Sequence, residues 1–229
     1  MGKFSIFNFQ FSFIIILAFY ILPFGLAQGG HSTFYISPVY AHGDDIGEAQ
    51  LNPASPLYFL KSVREILELK FADTTQAKGF RELEFANSRI SEVKSLAKTS
   101  RQDLIEPTLA RYLFHLNELL GKITLKDENM VDKVTDAAIA HMSVLQAIYP
   151  QVSEQRARMS VRATINSLSL WDQQLINILS KPQPAFAQEV LTSKLTGCNF
   201  LSKEASSSSL NEVERSVFSE RAQKCLKSL

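Results

Sequence analysis

Beyond residue 56 the apolar residues of this chain recur at intervals of three and four, and no stretch alternates with period two for long enough to form a strand. A chain with that period buries its apolar sides by packing helix on helix. The pattern therefore predicts an all-α fold: an antiparallel helical bundle of about five helices, followed by a C-terminal helical pair. The first helix is expected to open at "ASPLYFLKSVRE". Ser55 can accept a hydrogen bond from a free N–H of the first turn, and Pro56 is tolerated at the first helical position, where its missing N–H costs nothing. Leu57, Leu60, Val63, Leu67 and Phe71 then form one apolar face, with Lys61, Arg64, Glu65 and Glu68 off it.

A second helix is expected over about residues 75–96, lined by Phe80, Leu83, Ala86, Ile90, Val93 and Ala97, with Arg81, Glu82, Arg89, Glu92 and Lys94 pointing elsewhere. A third starts between Asp103 and Pro107, since proline is acceptable in a first turn. The fourth runs from about 128 to 149, where Pro150 ends it, and the fifth occupies about 153–179, before the break "KPQP". In the tail, a helical segment holds Val190, Leu191 and Leu195. Ser209 and Glu212 then have the spacing of a capping box for the last helix. The helical domain is thus expected over 55–181 and a C-terminal segment of separate character over 185–229.

Very little charge precedes this region. After Lys3 the first charged residue is Asp44. Lys3, the apolar run Phe11–Leu22 and the breakers Pro23 and Gly25 have the order of a signal peptide over residues 1–27. Small residues in Gly25-Leu26-Ala27 suit cleavage between Ala27 and Gln28. An uncleaved leader would instead anchor the chain in a membrane, although Phe11–Ala27 is at the short edge of a span. Residues 28–54, with scattered Gly and Pro and no sustained period, read as a flexible stalk. The expected localisation is exported: periplasmic, cell-surface or secreted. Lys plus Arg number 24 and Asp plus Glu 23, so loss of Lys3 with the leader leaves the two equal. That balance argues against nucleic-acid binding, which needs a basic face. The hydrophobic content of 45% and charged content of 21% are those of a globular chain.

The runs "SPLYFLKSVREILELKF" and "ELEFANSRISEVKSLA" resemble an uncharacterised bacterial family, domain of unknown function 5667, over roughly residues 52–123. The resemblance rests on a Pro-aromatic-Lys helix start and an Ala–Arg–Glu rhythm, here Pro56, Tyr58, Lys61, Ala86, Arg89 and Glu92. Ser88 and Ser91 stand where the family would offer Leu or Ala. The family implies an exported or membrane-tethered helical domain, and it brings no catalytic residue.

Motifs that carry chemistry are missing from the sequence. There is no Glu-x-x-His pair of a di-iron bundle, no His-Glu-x-x-His, no Gly-x-Ser-x-Gly elbow and no phosphate loop. No catalytic residue, metal or cofactor is therefore expected. His141 falls on the apolar stripe of the fourth helix and is expected to be a satisfied core residue, while His42 beside Asp44, Asp45 and Glu48 reads as part of a solvated stalk. Arg156, Arg158 and Arg162 form a basic cluster on the fifth helix. Arg158 and Arg162, one turn apart, could grip an anion or an acidic partner, although such a cluster is more often a solvated face. Cys198 and Cys225 are the disulfide candidates, on the ground that an exported chain meets an oxidising compartment. A tight hairpin at Ser206–Ser209 would leave them out of register by roughly 15 Å, so the bond needs an extended connection. The resulting expectation is an exported, non-catalytic helical interaction or scaffold module with an unknown protein partner. The alternative is an envelope chaperone or stress-binding protein.

Overall fold

The computed structural model describes residues 46–49, 51–207 and 210–228. They contain seven α-helices and no strand: α1 (Tyr58–Phe71), α2 (Thr75–Ala97), α3 (Ile105–Leu120), α4 (Glu128–Ile148), α5 (Gln155–Leu179), α6 (Pro184–Ala205) and α7 (Glu212–Lys227). Short 3-10 turns, Gln102–Leu104 and Tyr149–Gln151, lead into α3 and close α4. The proposed leader, its cleavage point at Ala27 and Gln28, and His42 lie outside the described residues.

Local chemistry sets the helix starts. Thr74 accepts from the Ala77 N–H (3.0 Å) and opens α2, Asp127 accepts from Met130 and opens α4, and the Glu154 carboxylate accepts from Arg156 and Ala157 and opens α5. The first helix begins later than expected. Ser55 and Pro56 lie in a turn, closed by Leu57 N–H on Ser55 Oγ (3.3 Å), and the helix starts at Tyr58. The last helix is also capped elsewhere than at Ser209. Asn211 accepts from Glu214 N–H (2.9 Å) and Glu214 accepts from Asn211 N–H (3.0 Å), a complete capping box.

The pairs α2/α3 and α5/α6 run antiparallel. Glu82 near the start of α2 meets His115 and Lys122 at the end of α3. Asp172 and Arg162 of α5 meet Ser193 and Glu204 of α6 in reversed order. Helices that meet across the bundle run parallel: Glu106 and Leu116 of α3 face Arg156 and Trp171 of α5. The main core gathers Leu83, Ile90, Leu116, Val134, Leu145, Ile165, Trp171 and Leu175 from α2 to α5, and it also takes Ala187 and Val190 from α6. The tail is therefore not separate in character, since α6 is a full bundle member. A smaller cluster of Leu201, Leu210, Phe218 and Ala222 seats α7 on α6.

The expected flexible stalk is also tied down where it is described. Ala49 N–H donates to Ser95 Oγ (2.9 Å), Lys94 Nζ donates to the Ile46 carbonyl (2.5 Å), and Ser91 Oγ donates to the Gly47 carbonyl. Residues 46–49 thus lie along α2.

Gly197 sits at a close helix approach. A Cβ there would stand 2.2 Å from Ser169 Oγ and 2.7 Å from the Met142 methyl, so α6 presses on α5 and α4 at a point that admits no side chain. Gly197→Ala is expected to lose about 1–3 kcal/mol to overpacking, more than the roughly 1 kcal/mol that alanine adds in a helix. Gly121→Ala, whose nearest neighbour would be 3.9 Å away, is expected to be neutral or stabilising. Thermal melts of the two variants side by side check this, and equal melting temperatures would refute it.

Candidate functional site

α1 is amphipathic and sits inside-out. Its inward stripe is Tyr58, Lys61 and Glu65, at spacings of three and four, and this stripe is polar. Its outward stripe is Phe59, Leu60, Val63, Ile66, Leu67 and Phe71, with Ile66 65% and Phe71 71% exposed. The sequence assigned an apolar face to this helix correctly, but the structure turns that face to solvent.

What it packs on explains the orientation. On α2 the apolar residues Leu83, Ala86, Ile90 and Val93 face the bundle, while Arg89 and Glu92 lie buried on the opposite side, under α1. Two ionised groups out of water need counter-charges and hydrogen bonds, and α1 supplies them. The Glu92 carboxylate accepts from Tyr58 Oη (2.9 Å), Lys61 Nζ (2.5 Å) and Arg89 Nη1 (2.6 Å). Arg89 also donates to Glu65 and to Tyr58 Oη. Lys61 reaches Ser88 Oγ (2.6 Å), and the Arg111 guanidinium of α3 lies over the Tyr58 ring, 5.6 Å from its centroid. Arg89 and Lys61 balance Glu65 and Glu92, and Arg111, which donates to Tyr58 Oη (3.2 Å), adds a further cation at the edge of the cluster. Burial and then the Glu92 carboxylate push the Tyr58 phenol up to about 12, which keeps it a proton donor. An ionic joint of this kind adds little net stability; turning α1 would separate Lys61 and Glu65 from Glu92 and Arg89, which favours the observed orientation.

Elsewhere the polar interior is sealed. Tyr112 Oη donates to His141 Nδ1 (3.1 Å) and His141 Nε2–H donates to Asn87 Oδ1 (2.8 Å), which makes His141 the satisfied core residue its position suggested. Ser193 hydrogen-bonds Asp172 (2.9 Å), and Tyr112, His141 and Asp172 are fully buried. The basic cluster of α5 is likewise engaged internally. Arg162 donates to Glu204 of α6 (2.9 Å) and lies over the Phe218 ring of α7, Arg158 stacks on Tyr149, and Arg156 pairs with Glu106. The acidic partner anticipated for Arg162 is thus a residue of the same chain. Cys198 and Cys225 are joined, with Cα atoms 5.5 Å apart. α6 ends at Ala205 and α7 begins at Glu212, so six residues join them, more than the tight hairpin considered above. Among the described residues no group of His, Cys, Asp and Glu is arranged to hold a metal, and no helix is long and apolar enough to cross a membrane.

The fold and this joint define a helical domain that carries an outward apolar helix. Residues 50–155 match the family model described as Domain of unknown function (DUF5667). The match reaches past the 52–123 segment read from the sequence, to the start of α5. No curated protein matches, and no solved structure does. Four of the six residues that carried the resemblance, Tyr58, Lys61, Arg89 and Glu92, are members of the ionic joint. Their charged and aromatic character was the one sequence signal for a site whose burial the periodicity did not show.

Arg89→Ala would leave Glu65 and Glu92 buried without their shared cation, and a loss of about 3–5 kcal/mol is expected. Hydrogen exchange in α1 should rise with it, whereas unchanged protection of α1 would mean that the joint does not hold the helix. The sealed core makes a pH prediction. Burial holds His141 down to about 3. The unfolded chain takes up that proton below about pH 6.5, so this residue's contribution is lost as pH falls, by about 1.4 kcal/mol per unit. Burial pushes Asp172 well above the ordinary carboxylate range despite its hydrogen bond from Ser193 and the Lys194 charge, so its contribution is full at low pH and is lost as pH rises. The stability difference between the native chain and His141→Gln should therefore grow from pH 4 to 6.5 and then level off. The difference against Asp172→Asn should shrink across the same range. Denaturant unfolding at a series of pH values reads both, and flat differences would contradict the assignment.

Proposed function

We propose that this chain is an exported, non-catalytic helical module that binds protein through the outward face of α1, outside the cytoplasmic membrane. The observation that carries the reading is the orientation of α1: a helix with six large apolar groups in water, an orientation favoured by its pairing with buried charges. Contiguous apolar surface of that kind on a folded domain is characteristic of an interaction site. Export is supported by the leader-like order of Lys3, Phe11–Leu22 and Gly25-Leu26-Ala27. It is supported also by the Cys198–Cys225 bond, which suits an oxidising compartment. A shield for unfolded chains would use the same face, but its binding would tolerate single changes along that face.

The test combines location with contact. The native protein recovered from outside the cytoplasmic membrane should have a mass beginning at Gln28 and gain the mass of two hydrogens on reduction. Cross-linking in cells should give a defined product that Ile66→Lys abolishes while the fold persists. A full-length product with free thiols, or cross-links indifferent to Ile66→Lys, would sink the reading, and so would a specific turnover by the purified protein.

A further inference from the structure

The identity of the binding partner follows from the face itself and rests on the reading of α1 as a protein-binding surface. We propose that the partner of α1 is α1 of a second copy, packed antiparallel across a two-fold axis.

Three observations lead there. The outward face reads alike from either end. About Glu65 as centre, Phe59 and Phe71 each stand six residues away, and Val63 and Leu67 each stand two away. An antiparallel copy therefore sets Phe59 against Phe71 of the other chain at both ends, and Val63 against Leu67 in the middle. Leu60 and Ile66 fall opposite Lys70 and Arg64, whose aliphatic stems cover them while the charged heads leave the seam. A two-fold interface demands this self-complementarity, since each residue meets the counterpart of its own partner.

The second observation is area. From their exposures, the six side chains present roughly 600 Å² to solvent, the upper end of what a monomer leaves uncovered and most of the roughly 800 Å² that one partner contributes to a stable complex. Two copies meeting along a 14-residue helix would cover it. The third is charge. A helix that lies in a lipid surface offers headgroups a polar face rich in Lys and Arg. Here the polar face of α1 is spent on α2, Arg64 is already paired with Glu68 (2.6 Å), and Lys70 remains the main outward cation of the helix. The face is suited to another apolar helix rather than to anionic lipid.

Sedimentation equilibrium of the full processed protein at micromolar concentration is the experiment, with circular dichroism and the intact disulfide as checks on folding. The native protein should show twice the single-chain mass. Val63→Lys and Leu67→Glu should each halve it. An equimolar mixture of the two variants should restore the two-chain mass, because position 63 faces position 67 across the axis. Failure of the mixture to recover would overturn the antiparallel pairing. A native single-chain mass would overturn the dimer. If that single chain still forms a cross-linked product with a different protein, lost with Leu67→Glu, the interaction reading survives with another partner, and if it forms none, both fall. Binding of the single chain to vesicles of anionic phospholipid, lost with the same substitution, would overturn the dimer in favour of a lipid surface.

Discussion

Arg89 and Glu92 are charged residues on a helix that is covered on two sides, and much of the structure follows from accommodating them. α2 turns Leu83, Ala86, Ile90 and Val93 to the bundle and leaves two ionised groups on the opposite flank. Buried there, they have to be neutralised and hydrogen-bonded within reach. α1 does this with Tyr58, Lys61 and Glu65, and a helix has only one other side. The apolar residues of α1 are outside because the polar ones are required inside. The surface that carries the proposed function is thus a by-product of charge balance two helices deep.

Which residues form helices was legible in the sequence, because period three-to-four with sparse Gly and Pro has one structural solution in water. The break around Pro150 and the core role of His141 are matters of local chemistry; the caps at Thr74 and Asp127 went unread. What periodicity does not report is the sign of an amphipathic helix. It shows that Phe59, Val63 and Ile66 share a side, but whether that side faces protein or solvent is decided by what α2 presents, some thirty residues on. Arg89 and Glu92 read only as residues pointing away from the apolar side, because the charges that match them lie on another helix. The combination Tyr58, Lys61, Arg89 and Glu92, noticed as a family resemblance, held the information in a form that spacing within one helix did not expose.

The same limit accounts for the α5 arginines and for α6. Arg158 and Arg162 were legible as neighbours on a helix face, but Glu204, which pairs with Arg162, lies 42 residues further on, and Tyr149, which Arg158 covers, sits across the turn before α5. The tail looked separate because "KPQP" interrupts the pattern, yet Pro184 opens α6 as a first-turn proline and the helix returns to the core at Ala187 and Val190. A proline pair is a boundary between helices and says nothing about a boundary between domains.

The Cys198–Cys225 bond joins α6 to α7 and closes a covalent ring that contains the whole of the connection 206–211. A single peptide cut anywhere inside the ring would not shed α7. The product would be two polypeptides held as one particle, keeping Phe218 and Ala222 on their cluster and revealing the nick only when reduced. The connection 206–211 is thus a place where backbone damage leaves the molecule in one piece.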